Sequence, residues 1–207
     1  MNNLALVHKK NHFKNDLQLG NSENFWKEFY KLAFPDMVCS ALCEGKNEKG
    51  KVTQGQKLGI DVVIELESGK TIKIDKKIRR KNYNDFALEF RHYKLESNSK
   101  VAGWIQQQLQ IDYIAYAFEP SKTVYLLDWI LLKKVWNNNK TEWFSYFDMD
   151  SIKWNQAGSI EGKNNFFIIG AFNENNDGYN NYISWSLAVP IQVLLDKLQD
   201  AAIIQMK

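Results

Sequence analysis

Three side chains of types that serve phosphodiester hydrolysis, Asp61, Asp75 and Lys77, flank a predicted β-hairpin. The segment Glu67-Ser68-Gly69 separates two runs of alternating residues, and a three-residue hairpin loop favours Gly at its last, left-handed position. This loop places Asp61 opposite Asp75, with Lys77 two residues further along the same strand face. Two carboxylates and an ammonium group therefore converge at the open end of the hairpin, which suits a divalent cation and a phosphate.

The hydrophobic pattern supports the same register. A two-residue turn would move Asp75 onto the apolar face of the hairpin, where a charged residue is disfavoured. The three-residue turn keeps the charged residues off that face. The predicted apolar face carries Val62, Ile64, Leu66, Ile72 and Ile74, and the polar face carries Asp61, Glu65, Thr71, Lys73, Asp75 and Lys77.

The elements around the hairpin predict an α/β or α+β fold with a mixed sheet. Ser22 is a suitable N-cap for a helix that ends near Phe34, before Pro35. Residues 111–118 are almost continuously apolar, as in a strand covered on both faces, and residues 126–136 predict a long helix. The other predicted elements are a polar loop over 44–57, a short helix over 102–109, a turn over 137–140, strands over 141–147, 166–171 and 182–188, and a final helix from Pro190 to about Ile203.

Residues 85–93 alternate cleanly and predict a third antiparallel strand after the hairpin. If this strand pairs with the second strand in the simplest way, Glu89 shares the face of the two aspartates. Glu89 is then a candidate catalytic residue, as a further ligand or a substrate contact. An ion pair with Arg91 or Lys77 is the alternative.

The composition indicates a globular protein and excludes several functional classes. Hydrophobic residues make up 44% of the chain and charged residues 25%, and the net charge of +3 leaves no polybasic tail. Cys39 and Cys43 lack the further Cys or His that a zinc site would need, and we expect reduced thiols. The sequence contains no signal peptide and no membrane span, so we expect a cytoplasmic protein without a membrane partner.

Asp61, the hairpin and the sequence Asp75-Lys76-Lys77 resemble the signature of the PD-(D/E)XK nucleases, the restriction-endonuclease-like superfamily. The predicted order of helix, three-strand meander, helix and strand over residues 22–136 is also similar to the core of that family. Ile60 replaces the Pro of the signature, and the first acid of the second motif is Asp rather than the more frequent Glu; the family accepts both.

The resemblance implies a restriction-endonuclease-like core, a mixed central sheet flanked by helices, with a C-terminal extension. Residues 1–21 would form an arm, residues 22–136 the nuclease core, and residues 137–207 an extension packed on the core that sets substrate choice or dimerisation. The implied activity is Mg²⁺-dependent cleavage of DNA, in which Mn²⁺ substitutes for Mg²⁺.

The resemblance also implies roles for individual residues. Asp61 and Asp75 bind the metal, and Lys77 assists the water or stabilises the transition state. Many members of the family add an acid from the first helix, for which Glu28 is the best candidate, although the spacing does not select it over Glu23.

A basic cluster begins within the motif and continues to residue 81, and its charges suit contacts with the phosphates of DNA. A solvated turn is the alternative. We expect either a restriction-type endonuclease or a junction- or end-directed nuclease of repair or recombination, and leave a homodimer open. The alternative is a non-catalytic nucleic-acid- or protein-binding protein on the same fold. The predicted nucleic-acid-binding residues are Lys76, Arg79, Arg80 and Lys81.

Overall fold

The computed structural model describes residues 23–43, 53–174, 181–199 and 201–206, which form a mixed α+β fold with two β-sheets. None of the helices in these ranges has the length and apolar content needed to cross a membrane. The helices are α1 (Glu23–Ala33), the single turn α2 (Gln54–Lys57), α3 (Trp129–Phe144) and α4 (Ile191–Leu198). The strands are β1 (Met37–Leu42), β2 (Val62–Leu66), β3 (Thr71–Arg79), β4 (Asp85–Lys94), β5 (Ser99–Ala102), β6 (Tyr113–Phe118), β7 (Thr123–Asp128), β8 (Gly158–Glu161), β9 (Phe167–Asn173), β10 (Tyr182–Pro190) and β11 (Ala201–Gln205).

The two sheets pack against each other through a shared apolar core. The first sheet has the strand order β1-β2-β3-β6-β7-β11, and the second has the order β5-β4-β10-β9-β8. Neighbouring strands are antiparallel except β3 and β6, which run parallel. One face of the first sheet is covered by α1, and the other packs against the second sheet, α3 and α4.

The β2–β3 hairpin has the predicted register. Val63 lies opposite Lys73, and Glu65 lies opposite Thr71. Gly69 closes the three-residue loop with a φ of +79°, and its N–H donates to the Leu66 carbonyl at 2.8 Å. A left-handed φ favours Gly, so this residue fixes the loop length and, with it, the register. The buried face of the hairpin carries Val62, Ile64, Ile72 and Ile74, which pack against Trp26, Phe29 and Tyr30 of α1.

The strand β4 lies in the second sheet, so the prediction that it pairs with β3 is wrong. Phe86, Leu88 and Phe90 are buried on one of its faces, as the alternation predicted, but its partners are β5 and β10. The antiparallel meander of the first sheet is β1-β2-β3, and the parallel neighbour of β3 is β6. Alternation of residue types predicts a strand but does not identify its partner.

The strands predicted over residues 111–118, 166–171 and 182–188 are confirmed as β6, β9 and β10, whereas several other elements differ. The segment predicted as a short helix instead contains the end of β5 and a 3₁₀ turn at Trp104–Gln106. The segment predicted as the long helix begins with β7. The helix α3 then continues through the predicted turn and most of the strand predicted over residues 141–147.

Packing explains why α3 is longer than predicted. Its start is capped by Asp128, whose side chain accepts a hydrogen bond of 2.9 Å from the Leu131 N–H. Asn has low helix propensity, but Trp136 and Trp143 are each 1% exposed on this helix, and their burial outweighs that propensity.

The C-terminal residues contribute strands to both sheets. In the second sheet β10 lies between β4 and β9, and in the first sheet β11 pairs with β7. The predicted final helix is α4 only, because Gln199 adopts a left-handed φ of +61° and the chain then enters β11. The predicted arm over residues 1–21, the Ser22 cap and residues 44–52 lie outside the described ranges.

Candidate active site

Asp61 and Asp75 face each other at the open end of the hairpin, as the register predicted. The Asp61 N–H donates to the Ile74 carbonyl at 2.9 Å, just beyond the last regular β2–β3 pair, Val62 and Ile74. The Asp61 Oδ2 accepts a hydrogen bond of 2.7 Å from the Lys76 N–H. Asp75 is only 4% exposed. Backbone pairing therefore fixes the two acids side by side.

The proximity of the two carboxyl groups changes the protonation of Asp61. Burial raises the pKa of Asp61, and the charge of Asp75 raises it further, whereas Lys77 and the Lys76 N–H lower it. The net result is a pKa of Asp61 raised to about 7. The Asp75 side chain also hydrogen-bonds that of Asp61. When both acids ionise, the pair carries more negative charge than its surroundings compensate.

The Lys77 ammonium group is held between acids and an aromatic ring. Its Nζ donates to Asp75 Oδ1 at 2.5 Å and lies 5.5 Å from the centroid of the Trp104 ring. Burial lowers the pKa of Lys77, but the charges of Asp75, Asp61 and Glu89 outweigh burial, and the pKa is raised above its ordinary value. Lys77 is therefore a stable cation that donates hydrogen bonds and is not disposed to accept a proton.

The carboxylates of Asp61 and Asp75 fit a hard divalent cation. Mg²⁺ takes one or two carboxylates and completes its octahedral shell with water and phosphate oxygens. A cation between these acids would neutralise the repulsion that raises the pKa of Asp61. Within the described ranges, no group of three or more His, Cys, Asp or Glu side chains is placed to hold a metal. An ion at this position would therefore depend on two carboxylates and on oxygens from water or substrate.

Glu28 lies on α1 and is not brought together with the aspartates. Its side chain is exposed, and the buried side of α1 packs against the opposite face of the first sheet. Lys76 lies on that same side, since its Nζ is 5.5 Å from the centroid of the Trp26 ring. Alternation along β3 separates Lys76 from its neighbours Asp75 and Lys77. The other helical candidate, Glu23, has no described side chain.

Glu89 approaches Lys77 from the second sheet and not from a neighbouring strand. The segment Gly103-Trp104 lies against both Glu89 and Lys77. Gly103 packs on the backbone of Glu89, where an added Cβ would overlap the Glu89 carbonyl oxygen, and the Trp104 ring contacts Lys77. The charge of Glu89 therefore acts on Lys77, although the strand pairing on which the prediction was based is wrong.

His92 and Tyr182 extend this group of polar side chains, and the sequence did not indicate them. The Glu89 Oε1 lies 2.6 Å from His92 Nε2, and the His92 ring stacks on Tyr182 with centroids 4.9 Å apart. Residues three apart on a regular strand point to opposite faces, so spacing gave no reason to join Glu89 with His92. Tyr182 is far away in the chain and reaches the site only through the pairing of β10 with β4.

The predicted basic cluster is divided by the fold. Arg79 is fixed by Asp85, with guanidinium nitrogen and carboxylate oxygen 3.5 Å apart, and its guanidinium lies 4.2 Å from the Tyr83 ring centroid. Arg80 and Lys81 follow in the connection to β4, and Lys81 is exposed. The cluster is therefore spread over two sides of the first sheet and the connection, with Lys76 on the α1 side.

No protein-family model, no curated protein and no solved structure matches this chain.

Proposed function

We propose that this chain is a Mg²⁺-dependent deoxyribonuclease, either a restriction-type endonuclease or a junction- or end-directed nuclease of repair or recombination. The observation that carries the proposal is the pair Asp61 and Asp75 with Lys77 donating to Asp75. Grouping two acids so closely that the pKa of one is raised costs stability, and such groups are found preferentially where a charged ligand binds or reacts.

The strand order of the first sheet supports a restriction-endonuclease-like core. The helix α1 precedes the antiparallel meander β1-β2-β3, and β3 is followed in the sheet by a parallel strand, β6. This order is similar to the one that the resemblance implies, with two differences. The third strand of the meander is β1, whereas the sequence predicted residues 85–93 in that place. The connection from β3 to β6 contains β4, β5 and a 3₁₀ turn in place of a helix.

In this proposal Asp61 and Asp75 hold Mg²⁺ through their carboxylates. A bound Mg²⁺ supplies positive charge to the phosphate and lowers the pKa of a bound water. The two aspartates fix its position because the Asp61 carboxylate is bonded to the hairpin backbone and the Asp75 carboxylate to Lys77. Mn²⁺ has the same preference for oxygen ligands and is expected to substitute.

Lys77 contributes a fixed positive charge beside the two acids. Its contact with Asp75 Oδ1 orients Nζ, and the neighbouring carboxylates keep it protonated. An ammonium group in this position donates a hydrogen bond to a non-bridging phosphate oxygen and stabilises the charge that develops in the transition state. Arg80 and Lys81, in the connection to β4, would contact the DNA backbone without selecting a sequence.

The proposal is tested by incubating the folded chain with supercoiled plasmid, linear duplex DNA, single-stranded DNA and RNA, in Mg²⁺, Mn²⁺ or EDTA. The Asp75→Asn variant removes one ligand charge at constant size. Asp148→Asn is the matched control. Asp148 is exposed, and its side chain makes no capping hydrogen bond to the 3₁₀ turn that follows it.

Metal-dependent cleavage by the wild type and by Asp148→Asn, together with its loss in Asp75→Asn, is the expected result. Failure of the folded wild type to cleave any of these substrates with either metal would overturn the proposal. Binding of the same nucleic acids without cleavage would then favour the alternative of a non-catalytic binding protein on this fold.

A further inference from the structure

A β-bulge in β4 brings Glu89 and His92 to the same side of the second sheet. Arg91 pairs with Trp185, but Glu89 pairs with the next residue along β10, Ser186, so Phe90 is an extra residue in β4. A bulge changes the alternation of side chains along the strand, and bulges are over-represented next to active sites. Here the bulge lets Glu89 Oε1 and His92 Nε2 approach to 2.6 Å.

The resulting pair is held from two sides. The His92 ring lies almost parallel to Tyr182, with an interplanar angle of 7°, so its orientation is fixed by stacking. The backbone of Glu89 is fixed by Gly103, whose N–H donates to the Phe90 carbonyl at 3.0 Å. The Glu89 and His92 side chains are 23% and 26% exposed, so water reaches both groups although neither is freely mobile.

The proposed function does not yet assign a residue that accepts the proton of the attacking water. Hydrolysis requires a group that accepts a proton from the attacking water. Lys77 Nζ donates to Asp75 Oδ1 and is assigned to the phosphate, and the carboxylates of Asp61 and Asp75 are assigned to the metal in the proposed function. Glu89 packs against Gly103, whose neighbour Trp104 contacts Lys77, and its carboxylate is tied to His92 rather than to the aspartates.

We propose that Glu89 is the general base of the hydrolysis, and that His92 and Tyr182 are positioning residues that orient its carboxylate toward the water beside Lys77. This assignment rests on the proposed nuclease function. An ionised carboxylate can only accept hydrogen bonds, so His92 donates its Nε2–H to Oε1 and leaves Oε2 for the water proton.

The proton and electron movements of this step balance without a further reactant. The water oxygen forms a bond to phosphorus while one of its protons passes to Glu89. The bond from phosphorus to the leaving oxygen breaks, and that oxygen keeps the electron pair and takes a proton from solvent. Glu89 releases its proton to solvent before the next cycle.

The experiment measures kcat, KM and the Mg²⁺ concentration for half-maximal rate in Glu89→Gln, His92→Gln and His92→Leu. Glu161→Gln is the matched control, since Glu161 is exposed on β8. Gln at position 92 keeps a side-chain N–H donor, and Leu removes it. Urea unfolding of each variant establishes that it folds, and NMR of the His92 ring nitrogens identifies which of them carries the proton.

We expect Glu89→Gln to lower kcat by about 10² to 10⁴, with KM and the Mg²⁺ requirement unchanged. His92→Leu should lower kcat by about tenfold or more, whereas His92→Gln should restore most of it. The NMR measurement should find the proton of His92 on Nε2. Glu161→Gln should match the wild type.

Three results would overturn the assignment while leaving the nuclease proposal intact. The first is a wild-type kcat in Glu89→Gln. The second is recovery of the Glu89→Gln rate by excess Mg²⁺, which would identify Glu89 as a metal ligand. The third is an equal loss of kcat in His92→Gln and His92→Leu. Absence of cleavage by the folded wild type is a different result and would overturn the nuclease proposal and the assignment together.

Discussion

Asp61 and Asp75 are held side by side by the backbone of the hairpin, and not by flexible side-chain contacts alone. The Asp61 N–H donates to the carbonyl of the residue before Asp75, and the Asp61 carboxylate accepts the N–H of the residue after it. These two bonds hold Asp61 next to Asp75, and moving Asp61 away would break them. The site carries a built-in electrostatic cost, which a bound cation would offset.

This cost predicts that Asp61→Asn stabilises the metal-free protein at high pH. The pKa of Asp61 is 3.8 in the absence of shifts and about 7 in the folded chain, so the folded state binds more protons between these values. Wild-type stability therefore falls as pH rises through this interval. We expect the variant to be more stable than the wild type by about 1–3 kcal/mol at pH 8 and nearly equal near pH 4.

The measurement is urea unfolding in EDTA at both pH values, with Asp148→Asn as the control. Asp148→Asn should follow the wild type, because its side chain is exposed. A wild type that is more stable than Asp61→Asn at pH 8 would contradict the raised pKa of Asp61.

Mg²⁺ should stabilise the wild type and should not stabilise Asp61→Asn or Asp75→Asn. A ligand that binds only the folded state adds RT ln(1 + [L]/Kd), which is about 1.4 kcal/mol at ten times the Kd. The shift in Tm should be larger at pH 8 than at pH 6, because Asp61 must lose its proton to bind the ion. Equal shifts in the wild type and in both variants would place the ion elsewhere.

Lys77→Met should lower the cleavage rate strongly while the protein still folds. The variant leaves Asp75 buried without its partner and should lose about 1–3 kcal/mol of stability. Without the ammonium group the cleavage rate should fall by about 10² to 10³, while the Mg²⁺-induced rise in Tm persists. Lys73→Met, four residues earlier on the same strand face, is the control. Cleavage at the wild-type rate in Lys77→Met would remove Lys77 from the mechanism.

Gly103→Ala should damage both stability and cleavage, because a Cβ at this position would overlap the Glu89 carbonyl oxygen. The overlap involves backbone atoms, so relief requires moving β4 away from the segment that carries Trp104. We expect a loss of about 1–3 kcal/mol in urea unfolding, together with a lower kcat. Gly158→Ala is the control, since a Cβ at Gly158 meets nothing within 4 Å. Equal unfolding free energies for both variants would show that the contact of Gly103 with β4 is not needed.

The hairpin and its two aspartates could be predicted because the relevant information is local. Gly69 specifies the loop, and the loop length fixes which residues face each other across β2 and β3. A single hydrophobic face against α1 then excludes the neighbouring register. Asp61, Asp75 and Lys77 therefore follow from a hairpin whose strand-pairing contacts are close along the chain.

The second sheet could not be predicted, because one of its strand pairs joins residues that are far apart in the sequence. The pairing of β4 with β10 joins residues about a hundred positions apart, and alternation does not encode such a partner. The group formed by Glu89, His92 and Tyr182 depends on this pairing and on a bulge at Phe90. The length of α3 was missed because burial of two tryptophans outweighs the low helix propensity of the Asn run between them.

The most direct test of the central claim is the rate of plasmid cleavage at fixed Mg²⁺ by the wild type and by Asp75→Asn, each purified identically and shown to be folded. The account predicts cleavage by the wild type that EDTA abolishes, and a loss of at least about 10²-fold in Asp75→Asn. Equal rates for the two proteins, or no cleavage by either, would contradict the assignment of Asp61, Asp75 and Lys77 as the active site of a metal-dependent nuclease.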